Sequence, residues 1–161
     1  MREILFRAKA INRDKSYHRT NYKNGDWVYG LITRLYDERF KNLPAEMTNE
    51  NGISRIEIDH NTIGQYTGLN DKNDKKIFEG DIIKPYEDDK CYVVKYFDDN
   101  NYPAFDCVPE VPLCEYNGLW FLVDMVGCEV IGNIHENKIL PKENGLIIDE
   151  ENECFYILLE E

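Results

Sequence analysis

Apolar and polar residues alternate in short runs along most of this chain, and that period predicts strands. In REILFRAKA, residues 2–10, Ile4, Phe6 and Ala8 fall on one face with Arg or Lys between them, as in a half-buried strand. WVYGLITRLY, residues 27–36, is rich in aromatic and β-branched residues and predicts a second strand. The segment between them, NRDKSYHRTNYKNGD, is turn-rich, and its Asn24-Gly25-Asp26 is a strong reversal signal. The two strands are therefore expected to pair as a hairpin with a long basic connection. DERFKNLPAEMTNENG, residues 37–52, is polar and broken by Pro44 and Gly52, which predicts a loop with one helical turn after Pro44.

Alternation resumes in ISRIEID, placing Ile56 and Ile58 inward. TIGQYTGL and IFEGDIIKPY then flank the polar NDKNDKK, a hairpin-like arrangement. KCYVVKYFDDN predicts another strand, whereas Pro103, Pro109 and Pro112 argue against a long regular element over residues 102–116. GLWFLVDMVGCEVIGNI is the most apolar stretch and predicts two short buried strands around Asp124 to Gly127. HENKILPK has room for one helical turn before Pro141. Residues 142–161 are acidic around CFYILL, which fits a strand or a short helix equally well. Short strands at regular spacing, with no long 3.6-residue period, predict a mainly β protein (β-rich α+β at most) with few helices, built as a small barrel or a strongly bent sheet.

The length of 161 residues suits one compact domain, or a small domain with an appended segment. A hydrophobic content of 42% excludes a disordered chain, and no apolar run reaches the length of a membrane span. The first residues mix charged and apolar side chains and lack the apolar core of a signal peptide, so the cytoplasm is the expected compartment. Five cysteines, Cys91, Cys107, Cys114, Cys128 and Cys154, form no CxxC pair, which suits reduced thiols better than a disulfide framework. None of His18, His60 and His135 lies near a cysteine pair, so neither a metal site nor a cofactor is expected.

Charge divides the chain. Residues 1–41 carry a net +5, and residues 42–161 a net −17, within an overall −12. So acidic a body repels phosphate backbones, and nucleic acid is a disfavoured partner overall. The basic head leaves open a local contact through Arg7, Lys9, Arg13, Lys15, Arg19 and Lys23, with Tyr17 and Tyr22 interleaved for stacking. It equally allows docking onto the acidic body of another copy, or simple solvation.

Two glycine motifs carry the remaining chemistry. In KIFEGDIIK, Gly80 supplies positive φ for a tight turn into a strand, and Asp81 can accept hydrogen bonds from nearby backbone amides. Glu79 and Asp81 share a face in an extended chain, but a catalytic pair would need one carboxyl in an apolar pocket, and Lys75 and Lys76 favour ionised carboxylates. The turn reading is preferred. TIGQY and VIGNI each place Ile-Gly-amide between apolar or aromatic residues, so Gly64 and Gly132 suit bulges, with Gln65 and Asn133 satisfying the disturbed ladder. A cysteine with His135 as nucleophile and base is the enzymatic alternative. It gains little from Glu115 and Glu129 beside Cys114 and Cys128, because a reactive thiolate needs positive surroundings.

The opening MREILFRAKA, the central TIGQYTGLNDKNDKKIFEGDIIK, which includes Gly68, and the closing EVIGNIHEN resemble, in order and separation, the YopX family of phage and prophage proteins. The resemblance implies an SH3-like small barrel over the central and closing blocks, together with self-association, and supplies no catalytic residues. It divides the chain into an N-terminal β segment (1–50), an SH3-like barrel domain (51–141) and an acidic C-terminal segment (142–161). His135 and Lys138 stand where the family commonly has an aromatic and then a proline, so the final turn is expected to differ locally. The resemblance supplies no activity. The function expected is that of a non-enzymatic accessory protein acting as a homo-oligomer and through a phage or host protein. The alternative is nucleic-acid contact through the basic head or nucleic-acid mimicry by the acidic body.

Overall fold

The alternating runs do become strands, which a computed structural model describes over residues 3–11, 22–35, 45–49, 55–86, 90–98, 103–108, 111, 117–136, 146–149 and 154–157. The chain divides into two units, Met1–Tyr66 and Thr67–Glu161.

In the first unit β1 (Phe6–Lys9) pairs antiparallel with β2 (Trp27–Gly30), Phe6 opposite Gly30 and Lys9 opposite Trp27. This is the expected hairpin. The return into β2 is a turn in which the Lys23 amide donates to Asp26 Oδ2 (2.7 Å) and Gly25 takes φ +88. On its other side β1 pairs with the start of β6 (Gly64–Asn70), Phe6 opposite Gln65 and Arg7 opposite Gly64. β1 nevertheless does not keep one wet face. Ala8 is buried as expected, but Leu5 and Arg7 are buried too, and Ile4 is exposed. The Arg7 guanidinium lies 4.8 Å from the centre of the Trp27 ring, a cation–π contact that shelters the charged head.

A second sheet of the same unit has the order β3 (Ile32–Arg34), β4 (Ala45–Met47), β5 (Ile56–Ile58), all antiparallel. β4 replaces the loop predicted after Pro44. Its propensity is poor, but Ala45 and Met47 are buried between two strands while Glu46 faces outward, and packing overrides preference. Ala8, Val28, Ala45, Met47, Ile56 and Ile58 form the core, so Ile56 and Ile58 do point inward. The division proposed near residue 50 falls in the β4–β5 connection, and both strands belong to this unit. A 3-10 turn, His60–Thr62, leads into β6, with Asp59 capping the Asn61 amide.

The second unit holds the end of β6, β7 (Lys76–Phe78), and an antiparallel sheet of order β10 (Ala104–Val108), β9 (Tyr92–Phe97), β8 (Asp81–Pro85), β11 (Cys128–Asn133). Ile83, Tyr92, Val94, Leu119 and Leu122 pack on one side of this sheet, and Ile82, Cys91 and Val93 on the other. That two-sided cover is the reason Ile82 and Ile83 are both buried. The described strands form open sheets rather than a closed barrel.

GLWFLVDMV departs from the strands expected of it. Gly118–Trp120 (α1) and a π-helical run, Phe121–Val126, form one helical segment, and the strand begins only at Cys128, after Gly127 at φ +81. Asn117 is the cause. Its Oδ1 accepts from the Trp120 amide (2.7 Å) while its Nδ2 donates to the Phe105 carbonyl (2.8 Å), a cap that also fixes the segment to β10. Asp106 Oδ1 accepts from the Leu119 amide (2.9 Å), and a side chain at Gly118 would collide with Asp106 and Val111. Near the C-terminus β12 (Leu146–Asp149) and β13 (Cys154–Ile157) pair antiparallel, so Cys154–Ile157 of CFYILL is strand, while Leu158 and Leu159 lie outside the described residues.

Candidate functional site

The two glycine motifs meet in the second unit. Asp81 lies opposite Asn133 and Ile82 opposite Gly132 on the β8–β11 ladder, which shifts register between Val130 and Gly132. Asp81 is 1% exposed, and its Oδ2 accepts from the Phe78 amide (2.8 Å), closing the turn. Gly80, at φ +80, donates from its amide to the Val94 carbonyl (2.8 Å) and accepts at its carbonyl from the Ile134 amide (2.9 Å). A Cβ there would press on Ile134, with His135 close behind. Asn133 Oδ1 accepts from the His135 and Glu136 amides (3.0 and 3.1 Å), and its Nδ2 donates to Glu136 Oε2 (2.7 Å). The final turn is thus an Asx turn on Asn133, with His135 standing over Gly80. Glu79 is half-buried at the turn, and Asp81 serves the backbone. The arrangement ties β8 to β9 and to the end of β11.

A second carboxylate, which the sequence analysis passed over, organises the hairpin tip. Asp71 is buried, and its Oδ1 accepts from the Asn73 and Lys75 amides (2.8 and 2.9 Å) while Oδ2 reaches the Val130 amide (3.0 Å). The tip is thereby stapled to β11 just before the register shift. Burial pushes its pKa up, but the donors Val130, Lys75 and Asn73, with the Lys75 charge, outweigh this and hold the carboxyl below its ordinary 3.8. A depressed folded-state pKa contributes stability above the unfolded value, and that contribution is lost as pH falls through the lower folded value. Asp71→Asn is therefore expected to lower the urea midpoint at neutral pH, with a difference from the parent that shrinks below pH 3.8. An undiminished difference in acid would refute the assignment.

Of TIGQY, Gly64 and Gln65 sit on the β1 ladder and Gly68 takes φ +91 inside β6. Among the basic residues proposed for nucleic acid, Arg7 is buried on Trp27, Lys9 is half-buried with Nζ 5.3 Å from the same ring, and Lys23 is exposed at a turn. Arg13, Lys15 and Arg19 lie outside the described residues, as do Cys114 and Lys138. Cys91, Cys107 and Cys128 are buried and form no disulfide. Burial, with Asp71 and Glu129 nearby, pushes the Cys128 thiol up to about 11.

Large apolar side chains also reach solvent. In the first unit Ile4, Leu31 and Leu35 are exposed, and in the second Trp120 and Met125 on the helical segment. Apolar periodicity could not single these out, because the same alternation describes core and surface residues. Among the described residues no group of three His, Cys, Asp or Glu side chains is placed to hold a metal ion. No helix among them is long and apolar enough to cross a membrane.

The signature residues of this strand-rich unit fasten its own strands. The chain belongs to the YopX family, whose model, described as YopX protein, matches residues 6–140. It is also similar to the solved structure titled "Crystal structure of protein EF1440 from Enterococcus faecalis", at 27% identity over 84% of this chain and 95% of that one, with a TM-score of 0.46. No curated protein matches it.

Proposed function

We propose that this chain is a non-enzymatic accessory protein of phages and prophages, acting in the bacterial cytoplasm by self-association and by binding a phage or host protein. The observation that carries the reading is the charge of the two units. Residues 1–66 hold 11 basic and 9 acidic residues, a net +2, whereas residues 67–161 hold 8 and 22, a net −14. Opposite charge on two folded units favours contact between unlike units of different copies.

Light scattering at low salt is expected to give a mass above that of one chain, falling as salt is raised, because screening weakens exposed charge contacts. A monomer at every salt concentration would defeat self-association. The buried thiols support a non-enzymatic role. Cys91, Cys107 and Cys128 are expected to react slowly with a thiol reagent until the protein is unfolded. Rapid labelling of one of them in the native protein would reopen the enzymatic alternative. Nucleic-acid contact through the head gains less support, since Arg7 is turned onto Trp27 and away from any phosphate.

A further inference from the structure

We propose that the Asn117–Gly118 peptide is a modification site, at which deamidation by water makes an opening of the helical segment permanent. Packing builds this pair. Asn117 both accepts and donates, taking the Trp120 amide on Oδ1 (2.7 Å) and offering Nδ2 to the Phe105 carbonyl (2.8 Å), which an aspartate cannot do. Gly118 has to lack a Cβ, because one built there would stand 2.7 Å from Val111 Cγ2 and 2.9 Å from Asp106 Oδ1. Asn followed by Gly is also the pair most open to deamidation, since no side chain shields the attacking nitrogen. The fold thus requires a labile pair at the joint that fixes the helical segment to β10.

The folded geometry keeps that pair inert. Reaction needs the Gly118 nitrogen and the Asn117 Cβ eclipsed across the Cα–C bond. At ψ 117 they stand roughly a third of a turn apart. Turning the bond that far pulls the Asn117 carbonyl from the Phe121 amide (3.0 Å) and the side chain from its two partners. Reaction therefore follows local opening of the segment. Once it is open, the Gly118 amide loses its proton to hydroxide, and its nitrogen bonds to Asn117 Cγ. The Cγ–Nδ2 bond breaks, and Nδ2 leaves as ammonia with a proton returned from water. Water then opens the imide at either carbonyl, leaving aspartate or its isoaspartyl isomer. Neither product restores the joint. Aspartate has no proton for the Phe105 carbonyl and sets its charge beside that oxygen, and the isomer lengthens the backbone by one carbon.

The full chain, held at mildly alkaline pH with and without denaturing urea, tests this by peptide mass mapping. In urea the peptide carrying Asn117 is expected to gain one mass unit, partly as isoaspartate. In the native protein the gain is expected to be slower by about tenfold or more, because the segment has to open first. Asp106→Ala removes the acceptor of the Leu119 amide and should raise the native rate several-fold while leaving the rate in urea unchanged. Asn117→Asp, the direct product, is expected to speed hydrogen exchange at the Leu119 and Trp120 amides in a chain that circular dichroism shows to be folded. Modification at equal rates in both conditions overturns the inference, as does none in urea. An Asn117→Asp protein that exchanges these amides at the parent's rate overturns it too, since the opening would then not be made permanent.

Discussion

Gly30→Ala is expected to destabilise the first unit by about 3 kcal/mol, the upper end of what overpacking commonly costs. Gly30 ends β2 opposite Phe6, and a Cβ built there would overlap the Thr48 carbonyl oxygen and crowd Asn49. The obstacle is backbone, so no side chain can rotate out of the way. Relief requires the chain after β4 to withdraw, and that strains the bond from the Thr48 amide to the Leu31 carbonyl (2.9 Å). A hydrogen bond of this kind contributes about 1 kcal/mol. Hydrogen exchange should locate the damage, accelerating at amides of β1 through β5 more than at those of β8 and β9. An alanine variant with the parent's urea midpoint would show that the approach is looser than described.

Asp81→Ala is expected to cost about 3 kcal/mol as well, through the opposite defect. Removing the carboxylate leaves the Phe78 amide buried and without its acceptor, for which about 1–3 kcal/mol is typical, and more where the acceptor was charged. The same turn sets Gly80, which bridges Val94 and Ile134, so its loosening spreads to β9 and to the chain after β11. Asp81→Asn keeps an oxygen for the Phe78 amide and should recover roughly half of the loss. The urea midpoints of the two variants discriminate. Equal, small losses would mean that the turn closes without the side chain, and that Gly80 alone shapes it.

Much of this architecture is written locally. Ile56 and Ile58 alternate against Glu57, and one buried face follows. FEGD specifies its own turn because the glycine conformation and the aspartate acceptor both lie within four residues. Two parts were hidden, each for a physical reason. Ala45-Glu46-Met47 is a strand because strands on either side bury it, and those partners lie elsewhere in sequence. Gly118 to Val126 looked like buried strand because apolar content was read without its start signal, the Asn117 cap. Asp71 shows the same limit in the site. An Asp in a polar tip is ordinary, and its distinguishing contact is with Val130, far along the chain. Family membership, by contrast, was legible because the ordered blocks from MREILFRAKA to EVIGNIHEN survive as sequence whatever they contact.

That contact also has a consequence for synthesis. The Asp71–Val130 bond spans 59 residues, and Gly80 waits for Ile134 across a similar separation. While a ribosome is still making the chain between them, the staple of the hairpin tip does not exist and β8 lacks its β11 partner. Its open edge, at Ile82 and Ile83, is a template for aggregation even with β9 in place. The protein is therefore most vulnerable as a nascent chain, in the interval that ends when VIGNI leaves the ribosome exit tunnel and completes the sheet.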